Sequence, residues 1–309
     1  MIAEDYLRVR RALGYKLQRQ GWHLRQFVAY LEQVGASTVT IEHAVAWAAQ
    51  PQRADPNYWC DRLSVVRQFA RHLKTLDPAC EVPPKKLLPY RKRRPVPFIF
   101  TSEEIDALMV ATGGLRGELH RATMRTVIGL MASTGMRVGE TINLACPDVD
   151  VRHQLLRVID SKFGKSREVT LHASTLAALR AYSQVRGRCC PQPACDRFFV
   201  SRSGTPLLPQ VVHRTFGRLV QTVGLEPRSP RCRPRMHGLR HTFAVNTLLD
   251  WYSSGEDVQA KLPMLSTYLG HVAPHTTYYY LTAVPELLIL AARRLESLEE
   301  TSDHARADA

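Results

Sequence analysis

The sequence has no uninterrupted apolar run near the ~18 residues that a membrane-spanning helix needs, so no membrane span is expected. Its first residues, MIAEDYLRVRRALGY, lack the basic-then-apolar layout of a secretory leader, and the expectation is a protein that stays in the cytoplasm. Cysteine is scarce and odd in number, seven in 309 residues, which argues against a disulfide framework. The one cluster, Cys189, Cys190 and Cys195, has His213 and Cys232 further off and no paired C-x-x-C spacing. Reduced loop thiols are expected there rather than a structural zinc. A glycine-rich phosphate loop and a paired-carboxylate metal site are also missing.

Acidic residues are in short supply: 28 Asp and Glu stand against 42 Lys and Arg, a net charge of +14. The balance points to a polyanionic partner. Its distribution says more than its sum. Residues 1–98 carry 17 Lys and Arg against 8 acidic residues, residues 99–285 carry 22 against 14, and residues 286–309 carry 3 against 6. Both main segments are basic, as expected if each touches phosphates, and only the last stretch is acidic.

The first 80 residues read as four short amphipathic helices. YLRVRRALGY stops near Gly14, and a second helix brings Leu24, Phe27, Val28 and Leu31 to one face. Thr40 can cap IEHAVAWAAQ, and a fourth helix runs from about Asn57 to Leu76. Arg8, Arg10, Arg11, Arg19, Arg25, Arg62, Arg67 and Arg71 are expected to face outward, several of them toward DNA. DPACEVPPKKLLPYRKRRPVPFIF then packs six prolines and six Lys or Arg into 24 residues. This composition predicts an extended basic connector over 81–100 between two domains, as a clamp around a duplex would need.

A second domain spans 101–284, with 285–309 as a C-terminal helix and tail. Thr101 with Glu104 forms a capping box for EEIDALMVAT. RATMRTVIGLMAS follows, Gly135 breaks it, and Arg137 opens the next helix. VDV, LLRVID and REVTLH alternate as short strands, with Lys162 and Lys165 in the glycine-containing turn SKFGKS. A helix near 173–187, a short strand at RFFVS and helices from Pro209, His237 and Leu262 complete the domain, Pro263 falling in the first turn of the last.

His237 and Arg240 share a helical face, which suits an anion with a proton to manage. Arg137 places a guanidinium near a helix N-terminus, which also favours an anion. A tyrosine in TTYYYL can attack phosphorus once its proton is managed.

The ordered set STGMRVGETINL, SKFGKSREVTL, HGLRHTFA, LGH and TTYYYL resembles the tyrosine recombinase or phage integrase family. The resemblance covers Thr101 to Leu281, and the N-terminal helices resemble the family's core-binding domain. It implies a mainly α fold with a small antiparallel sheet, in two domains: a helical SAM-like core-binding domain and an α+β catalytic domain. By position it implies Arg137, Lys162, His237, Arg240, His271 and Tyr280 as the catalytic set. Lys165 competes with Lys162, and Tyr279 stands behind Tyr280 as the nucleophile.

The implied activity is site-specific recombination of double-stranded DNA through a 3′-phosphotyrosine, of integrase or mobile-element transposition type, without cofactor. A type IB topoisomerase-like enzyme and a non-catalytic DNA-binding accessory protein are the alternatives. The resemblance also implies a homo-oligomer, a synaptic tetramer on DNA, with or without partner recombinases and with no membrane role. The C-terminal stretch, with Leu287, Leu288, Ala291, Leu295 and Leu298 at helical spacing, is expected either to pack on its own domain or to dock on a neighbouring protomer.

Overall fold

The computed structural model describes residues 2–90, 96–159, 164, 166–271, 275–281, 287 and 289. The chain divides into two compact units, Met1–Arg94 and Pro95–Ala309.

In the first unit, α1 (Ile2–Ala12), α2 (Gln18–Gln33), α3 (Ile41–Ala49) and α4 (Pro56–Leu73) enclose one core. The ends follow local chemistry. Thr40 Oγ1 accepts from the His43 amide at 3.1 Å, and Asp55 Oδ1 accepts from the Asn57 amide at 2.8 Å ahead of α4. Leu7, Leu24, Phe27, Trp47, Leu63, Val66 and Phe69 are buried together. Each such large side chain stabilises the unit by roughly 1.5–3 kcal/mol.

One arginine departs from its expected outward position. Arg62 is buried, lies 3.7 Å from the centroid of the Trp47 ring and donates to the Trp47 carbonyl at 2.7 Å. The helical pattern marked it as polar, but the indole and the Trp47 carbonyl, which otherwise accepts only a 3.3 Å bond from the Gln50 amide, make an inward site for a guanidinium. Arg67 also turns back onto the chain, donating to the Pro83 and Pro84 carbonyls.

The proline-rich stretch is not a free connector throughout. Val82 and Leu88 pack on the first core, whereas Phe98 and Phe100 are buried in the second unit. Both ends of the stretch therefore belong to folded units.

The second unit is mainly helical with a small antiparallel sheet. Its elements are α5 (Ser102–Ala111), α6 (Glu118–Thr134), α7 (Val138–Ile142), β1 (Val149–Asp150), β2 (Leu155–Val158), β3 (Arg167–Thr170), α8 (Ala173–Cys189), α9 (Pro209–Val223), α10 (Met236–Ser253), α11 (Val258–Leu269) and α12 (His275–Leu281). The sheet runs β1-β2-β3, antiparallel at each step, with Leu156 opposite Val169. Thr101 and Glu104 cap α5 reciprocally. α6 packs against α5, α8 and α10, and a further apolar cluster joins α10, α11 and Tyr280 of α12.

Two local expectations are corrected. RFFVS is not a strand: Phe198, Phe199 and Val200 are core residues, and only single bridges pair Arg197 with Ala145 and Val200 with Pro206. α11 starts earlier than its proline suggested, because Asp257 Oδ1 caps it by accepting from the Ala260 amide at 3.1 Å. Pro263 is thus inside α11 rather than in its first turn. No helix among the described residues is long and apolar enough to cross a membrane.

Candidate active site

Three arginines from distant parts of the second unit converge on the C-terminal end of α11. The last carbonyls of a helix have no partner within it and carry partial negative charge. Here the Tyr268 carbonyl accepts from Arg167 Nε at 2.6 Å, the Leu269 carbonyl from Arg240 Nη2 at 2.6 Å, and the Gly270 carbonyl from Arg137 Nη2 at 2.9 Å. Arg240 reaches a second chain turn through Nη1, which donates to the Gly135 carbonyl at 2.8 Å. Gly135 and Gly270 both adopt left-handed backbone, at φ +62° and +65°. At Gly270 a Cβ would lie 2.9 Å from Arg167 Nη1, so both backbone and space require glycine.

Glu140 ties two of these arginines together. Its Oε1 accepts from Arg137 Nη1 at 2.6 Å, and its Oε2 accepts from Arg167 Nη2 at 2.8 Å and from the Arg137 amide at 3.0 Å. Burial by itself would raise this carboxyl, but hydrogen bonding and charge from Arg167, then Arg137, hold it at about 2. It is ionised at any physiological pH. Three guanidiniums against one carboxylate leave this cluster with two uncompensated positive charges, which suits an anion.

The histidines add no charge. Desolvation, then Arg240 and Arg137, push His271 down to about 3. His237 is lowered by the same causes in the same order; its ring keeps an open side, where solvent moderates the effect. His271 Nδ1 is paired with Thr277 Oγ1 at 2.8 Å, which fixes the ring.

Tyr280 is buried among them. Its ring stacks on His271 with centroids 6.0 Å apart and meets the edge of His241 at 5.4 Å. Burial pushes its hydroxyl above the ordinary tyrosine value, while the charges of Arg240 and Arg137 pull it back. Tyr279 is half-buried and Tyr278 exposed.

The fold thus brings Arg137, His237, Arg240, His271 and Tyr280 into one neighbourhood. Lys162, and Lys165 beside it, lie outside the described residues. The sequence reading missed Glu140, Arg167 and His241. A signal existed for Arg167: it shares the inward face of β3 with buried Val169, and a charge on such a face needs a partner. Glu140 stands three residues after Arg137, the spacing of a helical ion pair.

The cysteines take no part. All seven are free thiols, and Cys195 Sγ and Cys232 Sγ bond separate backbone carbonyls. Among the described residues, no three His, Cys, Asp or Glu side chains group as metal ligands. His213 lies on the exposed face of α9.

Residues 99–286 match the model of the phage integrase family. Over 299 residues, 95% of both chains, the protein is 42% identical to the putative integrase/recombinase y4rB of Sinorhizobium fredii. It is 26% identical over 278 residues, 85% of each, to the tyrosine recombinase XerD of Halalkalibacterium halodurans. Its fold matches that of the Tn1549 transposon integrase in complex with transposon right end DNA, with a TM-score of 0.64 at 16% identity over 96% and 99% of the two chains. The XerH site-specific recombinase bound to its difH substrate gives 0.61 at 18% identity, over 89% of this chain and 78% of that one. The chain belongs to the phage integrase family and is a tyrosine recombinase.

Proposed function

We propose that the protein is a site-specific recombinase of integrase or mobile-element type that cuts and rejoins double-stranded DNA through a 3′-phosphotyrosine at Tyr280. The observation that carries this reading is the cluster of Arg137, Arg167 and Arg240, balanced by Glu140 alone, beside a buried tyrosine. A phosphodiester brings one negative charge, and its pentacovalent transition state develops a second. Two uncompensated positive charges match that state better than the ground state, which is the condition for catalysis.

Arg137 and Arg240 bind the non-bridging oxygens of the scissile phosphate, and Arg167 holds Arg137 through Glu140. A free tyrosine, with a pKa of about 10, is a poor nucleophile at neutral pH. The arginine field lowers the cost of ionising it as it meets phosphorus. His237 and His271, both neutral, accept or pass protons and hold the phosphate. Lys162 acts as the general acid that protonates the leaving 5′-oxygen. The phosphotyrosyl bond keeps the energy of the broken linkage for rejoining. The basic surfaces of both units engage the duplex backbone, and the enzyme acts as a synaptic tetramer.

The test uses duplexes selected for binding from a randomised pool, nicked near each phosphate so that a cleaved strand is lost and the adduct is trapped. Wild type should accumulate a covalent protein–DNA species and Tyr280→Phe none. An adduct with Tyr280→Phe would overturn the nucleophile, and plasmid relaxation at any sequence would replace the reading by a topoisomerase-like one.

A further inference from the structure

His241 lies four residues after His237 on α10, so the two rings share one helical face. They meet edge to face with centroids 4.6 Å apart, and the His241 ring also meets Tyr280 at 5.4 Å and 60°. His271 stacks on the same tyrosine at 6.0 Å and 25°. The nucleophile candidate therefore contacts two imidazoles, one nearly parallel to its ring and one steeply inclined to it.

What fixes the two imidazoles differs. His271 is held by its bond to Thr277, whereas His241 Nδ1 is buried with no hydrogen-bond partner in the structure. With no hydrogen bond at Nδ1, the ring is oriented by its packing against His237 and Tyr280. Burial, then the neighbouring His237 and Arg240, disfavour its protonation. A neutral ring adds no repulsion to the arginine cluster.

We propose that His241 is a positioning residue for strand cleavage, whose ring edge sets Tyr280 against His271 and in line with His237. It touches neither phosphate nor leaving group and acts through Tyr280. Aromatic edge contacts of this kind favour one ring orientation, and misplacement of a nucleophile by about 1 Å costs ~10²-fold in rate.

This inference rests on Tyr280 being the nucleophile, and the test separates the two claims. Single-turnover adduct formation on the trapped duplexes is measured at saturating DNA for wild type, Tyr280→Phe, His241→Ala, His241→Leu and His241→Phe, with DNA Kd measured alongside. His241→Ala and His241→Leu should cleave about tenfold or more slowly with Kd within about twofold of wild type. His241→Phe, which restores an aromatic edge, should recover most of the rate. Leucine covers the case in which alanine fails to fold, because it fills the space without an aromatic edge. Wild-type cleavage by His241→Leu, or a His241→Phe no faster than His241→Leu, would overturn the proposal. An adduct from Tyr280→Phe, or none from wild type, would instead sink the functional reading beneath it.

Discussion

Arg167 holds Glu140 with two guanidinium nitrogens, Nη2 at 2.8 Å from Oε2 and Nη1 at 3.2 Å from Oε1. The pair is nearly closed to solvent, with the side chains 10% and 6% exposed. Screening is therefore weak, and the charge of Glu140 matters to folding as well as to the position of Arg137.

The Glu140 carboxyl falls from an ordinary 4.5 to about 2 in the folded protein. A depressed carboxyl contributes stability that is fully present above its unfolded value and is lost as pH falls through the folded one. The contribution is about 3 kcal/mol at neutral pH by linkage. Glu140→Gln should be less stable than wild type at pH 7, and the difference should shrink between pH 4.5 and 2. Urea midpoints at several pH values measure this, and a constant difference would contradict the pairing.

The buried histidine gives a second, separable acid window. His271 is ordinarily 6.5 and is lowered to about 3, so the unfolded chain takes up this proton first as pH falls. Stability from this group is complete above about pH 6.5 and is lost downward toward 3. At pH 5, where Glu140 is ionised in the folded protein and largely so in the unfolded chain, His271→Gln should flatten the pH dependence of unfolding by about 1.4 kcal/mol per pH unit, one proton's worth. An unchanged slope would mean that His271 titrates normally in the folded protein.

Gly270 tests whether the end of α11 is the common anchor of the arginines. Gly270→Ala places a Cβ against Arg167 in a left-handed turn at φ +65°. The backbone cost is about 1–2 kcal/mol. Displacing Arg167 and Arg137 by a few tenths of an ångström should cost more in catalysis than in folding, on the order of 10²-fold in cleavage rate. Gly255→Ala, in a left-handed turn with open space around it, is the control for strain alone. Equal activity losses in the two variants would remove the anchoring role.

Much of this site was legible as an ordered set of residue types. Arg137, His237, Arg240, His271 and Tyr280 each stand in a motif whose spacing persists along the chain, and the fold brings these five together. Arg167 was not legible in that way, because its partners are 27 and 101 residues distant and nothing local announces them. Only its place on the inward face of β3 marked it. His241 was passed over beside Arg240 because the pattern that singled out His237 and Arg240 is complete without it. Pro263 misled because a proline marks a helix start only when no better cap precedes it, and Asp257 does. The burial of Arg62 depended on the Trp47 ring and carbonyl, a tertiary pairing that helical periodicity cannot show.

That pairing makes its own prediction. Arg62 Nη2 satisfies the Trp47 carbonyl inside the N-terminal unit. Truncation to alanine leaves the Trp47 carbonyl with only the Gln50 amide, at 3.3 Å, and opens a cavity beside the indole, for a loss of about 2–4 kcal/mol. Arg71→Ala, an exposed change on the same helix, should alter stability by no more than ~0.5 kcal/mol. Thermal unfolding followed by tryptophan fluorescence reads both. If Arg62→Ala proves as stable as Arg71→Ala, the cation–π and carbonyl contacts are incidental.

The run Tyr278-Tyr279-Tyr280 presents three phenols with three different surroundings. Tyr280 is 2% exposed and faces Arg240, His241 and His271, whereas Tyr278 is 52% exposed. A hydroxyl buried beside a guanidinium is the one whose ionisation the arginine cluster can favour. Tyr279→Phe and Tyr278→Phe should retain adduct formation within about threefold of wild type, while Tyr280→Phe should lose it by the ~10⁴-fold or more that removal of a nucleophile brings. Mass spectrometry of the trapped peptide should place the nucleotide on Tyr280. Its attachment to Tyr279 would move the nucleophile by one residue, to a half-buried ring that stands 6.3 Å from Tyr280 at 51°.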